Sequence, residues 1–372
     1  MAAMESTWRD DELLGAPYES RALPLEQVTP MEAEQEQGTP GSVGSRSGEE
    51  SLPTVEEQAT LVAYRGPVAG IGPAAGLTVL FVHGWSDYFF HTKVAEFWAR
   101  LGAHFYALDL RGYGRSLLAK GFDGNGRALE DGPLAGTGLT TRPGYIENLD
   151  EYDEEIGLAL EVIAGEHPEA RLVLEGHSTG GLVLSLWAHR HPGRAAALVL
   201  NSPWLEFQFS TTARKILRPL LGLGGLGSKQ AWRTPLPMQM PNFYTLAVAT
   251  AMGRPPYDLR LKPAGSFPVY PGWLSAVFDG HAQVEEGLAI GAPVLVQTST
   301  VSYRNAAYRP VMSTADIVLD VDAIARRALS LGPLVTIQRL PGALHDIHLS
   351  SAPVALAALE GIEKFVRGFV AQ

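Results

Sequence analysis

Leu172-Val173-Leu174-Glu175-Gly176-His177-Ser178-Thr179-Gly180-Gly181-Leu182 is the stretch whose reading decides the fold. It carries a short apolar run into a helix start through Gly176-His177-Ser178-Thr179-Gly180. A turn from strand straight into helix forces the serine backbone into a strained conformation, and Gly176 and Gly180 remove side chains that would collide across it. The Ser178 hydroxyl then stands at the carboxyl end of a sheet, where the dipole and free N–H groups of the helix point at any developing negative charge. Gly-x-Ser-x-Gly alone is only moderately specific, and the strand-to-helix setting is the context it requires. The plain alternative is a glycine-rich turn with an incidental serine. A phosphate-binding turn is disfavoured, because neither Gly-Lys-Ser/Thr nor Gly-x-Gly-x-x-Gly follows the strand. His177 is expected to point away from the turn and pack.

Outward from this turn, short continuous apolar runs alternate with helical stretches, as in strands buried on both faces by crossover helices. The runs are Leu77 to Val82, His104 to Leu108, Arg171 to Leu174, Ala197 to Leu200, Val294 to Gln297 and Leu334 to Ile337. Helices read at Thr92 to Leu101, Leu149 to Gly165, Gly180 to His191, Asp320 to Leu331 and Pro353 to Val370. This pattern predicts an α/β fold with a mainly parallel, doubly wound sheet. Residues 20 to 28 and 55 to 65 alternate and predict two antiparallel strands before it. Residues 31 to 51, acidic and rich in Gly, Ser and Pro, read as a mobile surface loop. The expected organisation is an N-terminal extension over 1–54, a core formed by 55–202 and 291–372, and a helical cap over 203–290, a span too long for a plain connection. Residues 117 to 144, rich in Gly and short polar residues, interrupt the alternation earlier.

With 372 residues, 46% of them hydrophobic and 19% charged, the chain has the composition of a globular protein. Its net charge of -11 argues against a nucleic-acid partner. The absence of cysteine excludes disulfides, zinc–thiolate sites and a thiol nucleophile, and fits a reducing cytoplasm. The acidic first residues do not resemble a signal peptide, and no stretch is long and apolar enough for a membrane span. Cytoplasmic localisation is the expectation, with no cofactor and no metal.

A serine nucleophile needs a base and an orienting acid. His345, in Pro341-Gly342-Ala343-Leu344-His345-Asp346 after the last strand, is the favoured base, and His348 is the weaker candidate. Asp316, Asp320 and Asp322 compete for the acid. Asp320 directly precedes the run Val321 to Leu331 and reads as a helix N-cap, whereas Asp316 lies in the loop itself and is favoured. Phe81-Val82-His83-Gly84-Trp85 ends a buried strand, so the backbone N–H groups of Trp85 and Thr179 are the expected oxyanion donors, with His83 holding the turn.

His83-Gly84-Trp85, Leu108-Asp109-Leu110-Arg111-Gly112-Tyr113-Gly114-Arg115-Ser116, Gly176 to Gly181 and Gly342-Ala343-Leu344-His345 together resemble the monoacylglycerol lipase and lysophospholipase branch of the α/β-hydrolases, also called serine aminopeptidase-like hydrolases. The resemblance covers about residues 55 to 370. It implies hydrolysis of a carboxylic ester through Ser178, Asp316 and His345, and it strengthens the choice of Asp316. Thr179 departs from the Met that many lipases of the branch carry, the 117–144 insert is long, and 1–54 matches poorly. Trp204, Phe207, Phe209, Trp232, Phe243, Tyr244, Phe267, Tyr270, Trp273 and Phe278 suit either an apolar acyl pocket or the cap's own core. The leading partner is therefore a small apolar ester such as a monoacylglycerol or lysolipid. Lactones, aryl esters and amides stay open, and an aminopeptidase needs an acid for the substrate amine, for which Glu206 is a candidate. A catalytically silent hydrolase fold is a rival of another class. A dinucleotide-dependent oxidoreductase is disfavoured by the missing glycine fingerprint.

Overall fold

The structure is a computed structural model that describes residues 7–30, 32–33, 54–207, 229–237 and 243–371. In chain order the strands are β1 (Arg9–Asp10), β2 (Tyr18–Pro30), β3 (Glu32–Ala33), β4 (Thr54–Tyr64), β5 (Leu77–Val82), β6 (His104–Asp109), β7 (Leu139–Thr140), β8 (Arg171–His177), β9 (Ala197–Asn201), β10 (Val294–Ser299) and β11 (Val335–Leu340). The main sheet has nine strands in the order β1-β2-β4-β6-β5-β8-β9-β10-β11. β6, β5, β8, β9, β10 and β11 pair in parallel, while β1, β2 and β4 join antiparallel at one edge. The parallel runs expected from the sequence are all present. Every residue of β5, β9 and β10 is buried, which is why each reads as a continuous apolar run. β11, at the sheet edge, is half-exposed.

The described helices are α1 (Thr92–Leu101), α2 (Gly114–Ala119), α3 (Asp153–Glu166), α4 (Thr179–Arg190), α5 (Lys229–Trp232), α6 (Tyr244–Met252), α7 (Pro271–Glu286), α8 (Val321–Ala328) and α9 (Ala352–Phe369). They cover the sheet on both faces. Val94, Phe97 and Trp98 of α1 and Ile362, Phe365 and Val366 of α9 pack against one face. Ile156 and Leu160 of α3, Leu182 and Leu186 of α4, and Ile324 of α8 pack against the other. α4 is buried from Thr179 to Ala188, because α7, from the span 203–290, packs against it. Each fully buried Leu along it contributes on the order of 1.5–3 kcal/mol of transfer free energy.

The expected cap span contributes α5, α6 and α7, and Phe209 within it lies outside the described residues. The acidic loop expected at 31–51 lies outside them too, save for β3, which pairs with β7 of the 117–144 insert. Within residues 7–30, β1 and β2 join the sheet: β2 pairs antiparallel with β4, the register shifting between Pro24 and Val28, and Asp11 is buried against Arg115 at 2.6 and 2.8 Å. Among the described residues no helix is long and apolar enough to cross a membrane.

Candidate active site

β8 delivers Ser178 at its carboxyl end with φ 51° and ψ -116°, a left-handed value that a residue with a Cβ adopts only under constraint. The constraint is visible. The Ser178 N–H donates to the Asn201 carbonyl at the end of β9 (3.0 Å), and the Ser178 carbonyl accepts from the N–H of Trp204 (2.9 Å). A Cβ on Gly180 would lie 2.3 Å from the His83 carbonyl oxygen, so the helix can start against β5 only with glycine there.

Three side chains from three loops meet at this point. His345 Nε2 lies 2.9 Å from Ser178 Oγ, and His345 Nδ1 lies 3.0 Å from Asp316 Oδ2. The Asp316 Oδ1 accepts the N–H groups of Val318 and Leu319, each at 2.8 Å, which fixes the carboxylate plane. Burial alone would raise the Asp316 carboxyl, but the facing His345 and these hydrogen bonds outweigh it and hold it below the usual carboxylate range. With Asp316 ionised, Nδ1 of His345 carries a proton and Nε2 presents a lone pair to the serine hydroxyl. Ser178 and His345 are 7% and 5% exposed, so they are reached only through a cavity.

That cavity, about 360 Å³, is lined by Ser178, His345, Trp85 and Thr179 together with Trp204, Phe207, Phe267 and Trp273. The Trp85 ring lies against Trp273 with centroids 3.6 Å apart, joining the strand-end turn to α7. Gly84 brings its backbone close to the nucleophile: a Cβ there would lie 3.0 Å from Ser178 Cβ. The turn is held by His83, whose Nδ1 donates to the Gly84 carbonyl (2.8 Å) while Nε2 accepts from the Leu110 N–H (3.1 Å). Burial holds this imidazole's pKa down, in keeping with the neutral form those bonds require.

The remaining candidates fall elsewhere. Asp320 caps α8, accepting from the N–H groups of Asp322 and Ala323, and Asp322 pairs on the surface with Arg339 (2.7 Å). His348 bonds to Glu175 (3.2 Å). Glu206 is taken up by Arg327 (2.6 Å). His177 departs from expectation: it lines the cavity, its ring centroid 5.0 Å from that of His345. Its Nδ1 donates to the Asn201 carbonyl (3.1 Å), and burial pushes its pKa down to about 4.

Sequence reading missed the buried polar residues around the site. Asp87 pairs with Lys262 of the cap span at 2.7 Å, and the Lys262 ammonium sits over the rings of Phe90, Tyr244 and Tyr257. Ligand atoms of Asp87, His177 and Asp346 lie within 4.8 Å of one another, a spacing that a metal ion could use, but Lys262 already brings a positive charge to Asp87. His91, Asn201 and Asp346 form a further linked set. The one local signal was that Asp346 directly follows His345.

Comparison with known proteins agrees with this fold. The family described as serine aminopeptidase, S33, matches residues 74–233. A monoacylglycerol lipase of Mycolicibacterium smegmatis is 28% identical over 127 residues, 34% of this chain and 37% of that protein. An abhydrolase domain-containing protein of Caenorhabditis elegans matches with 39% of its length, so the chain spans less than half of these curated relatives. Among solved structures, the monoacylglycerol lipase of Paleococcus ferrophilus superposes with a TM-score of 0.52 at 20% identity, covering 80% of this chain and 97% of that one. A thermostable carboxyl esterase of Bacillus coagulans gives 0.59 at 15% identity, covering 85% and 95%. The chain thus has the α/β-hydrolase fold, and within it residues 74–233 are similar to the serine aminopeptidase, S33, family.

Proposed function

We propose that the chain is a serine hydrolase that cleaves a carboxylic ester of an apolar acid, with a monoacylglycerol, lysolipid or similar single-chain ester as its substrate class. The observation that carries this is the continuous hydrogen-bonded line from Ser178 Oγ through His345 to Asp316, at 2.9 and 3.0 Å. His345 takes the hydroxyl proton as Ser178 Oγ attacks the acyl carbon, and Asp316 fixes the tautomer and stabilises the imidazolium. The oxyanion accepts the N–H groups of Trp85 and Thr179. Collapse breaks the ester bond, the alcohol leaves with the proton from His345, and the acyl group stays on Ser178. Water then attacks with His345 as base, releasing the acid and restoring the serine.

The substrate class rests on the cavity. Its volume is at the small end of ligand sites and its walls are aromatic, which suits one acyl chain. The name of the mycobacterial relative supports the same class. Glu206, the candidate acid for a peptide amine, is paired with Arg327, which weighs against an aminopeptidase. The test is a series of monoacylglycerols and 4-nitrophenyl esters of increasing chain length, with Ser178→Ala as blank. Turnover should rise with chain length until the cavity is filled. Activity confined to acetyl or short aryl esters would remove the lipid-ester assignment, and equal turnover by Ser178→Ala would remove the mechanism.

A further inference from the structure

Beside the base lies a second buried carboxylate that the reaction just described does not use. Asp346 is fully buried and follows His345 in the chain. Its Oδ1 accepts from Asn201 Nδ2 (2.9 Å) and from the backbone N–H of His348 (3.1 Å), and its Oδ2 lies 2.7 Å from His91 Nε2. Burial works to raise this carboxyl, and the facing His177, His91 and His348 outweigh it, holding the group ionised well below the usual range.

Asn201 faces two ways. Its carbonyl accepts the N–H of Ser178 and Nδ1 of His177, so its main chain holds the nucleophile turn. Its side chain holds the base loop, donating to Asp346 and accepting the Ile347 N–H at 3.2 Å. Ser178 and His345 are 167 residues apart in the chain, so their 2.9 Å contact depends on links of this kind between loops.

We propose that Asn201 and Asp346 are a positioning pair: a strut from the end of β9 to the residue after the base, which sets His345 Nε2 at bonding distance from Ser178 Oγ. The inference rests on the serine-hydrolase assignment above. Neither residue touches the reacting atoms; both act through His345. A base loop released from this strut is free to shift, and a misplacement of about 1 Å costs on the order of a hundredfold in rate.

The experiment uses the full chain carrying Asp346→Ala, Asn201→Ala or both, with folding checked by thermal melting and turnover read on an ester the parent chain hydrolyses. Each single variant should lose about a hundredfold in kcat with KM within about threefold, because orientation and not binding is damaged. The double variant should fall no further than about threefold below the worse single, since both changes cut one strut. A folded single variant that loses less than about tenfold in kcat, or a double variant whose losses multiply, overturns the pair. If one variant does not fold, the other decides by the same thresholds. A parent chain that a fluorophosphonate leaves unmodified is a different failure, and it sinks the serine-hydrolase assignment itself.

Discussion

Replacing Asp316 with Asn exchanges a single oxygen for NH2 and should nearly abolish turnover. The Asp316 Oδ1 is anchored by the N–H groups of Val318 and Leu319, both at 2.8 Å, so the amide oxygen of Asn is expected to take that place. The amide NH2 then faces His345 Nδ1, where Oδ2 now lies 3.0 Å away. Two donors cannot bond, so the imidazole must move its proton to Nε2. It then has no lone pair to offer Ser178 Oγ. The same tautomer error in a serine protease triad costs about 10⁴-fold in kcat, equivalent to about 5.4 kcal/mol at about 1.36 kcal/mol per decade. Asp320→Asn is the control. Asn caps a helix as well as Asp does, so α8 should lose no more than a few tenths of a kcal/mol and turnover should be unchanged. The assay is steady-state ester hydrolysis beside a thermal melt for both variants. A folded Asp316→Asn that keeps more than about a tenth of the parent rate, or an inactive Asp320→Asn, would refute the reasoning about the base and its orienting acid.

Gly180→Ala places a methyl 2.3 Å from the His83 carbonyl oxygen with backbone on both sides, so a loss of about 1–3 kcal/mol or more is expected in denaturant unfolding; an unchanged midpoint would contradict the close approach of β5 and the serine turn. Lys262→Ala leaves Asp87, 1% exposed, without its cation and should cost about 3–5 kcal/mol by the same assay, whereas a neutral result would mean the pair does not hold the cap span to the core. The His348 pKa is shifted by opposing effects: burial lowers it, but the hydrogen bond and charge of Glu175 prevail and raise it above 6.5. Because the folded value is the higher one, this contribution is complete below the unfolded pKa and lost as pH rises through the folded pKa, so stability should decline as pH rises above 6.5 and do so less in His348→Gln. Identical slopes in the two proteins would count against the pair.

What could be read from the sequence was what leaves a local trace. β5, β9 and β10 are buried on both faces, and their continuous apolar runs announce it. Ser178 was singled out through the glycines its turn needs, and Asp320 was set apart from Asp316 because an N-cap, which the structure shows at Asp320, has its own signature before a helix. The two-residue strands β1, β3 and β7 are too short to show any period. Partners that meet only through tertiary folding were equally silent. His91 and Asp346 are 255 residues apart, and Asn201 ends a strand whose apolar pattern gives its polar last residue no distinction. Lys262 lies in a stretch of Pro, Gly and charged residues that reads as loop, yet its ammonium is buried between Asp87 and three rings.

The role of Ser178 is open to one direct measurement: the intact mass of the full chain after exposure to a fluorophosphonate, followed by peptide mapping. A single adduct on Ser178, with Ser178→Ala remaining unmodified, is the expected result. An unmodified parent chain, or an adduct that persists in Ser178→Ala, would contradict the assignment of Ser178 as the nucleophile.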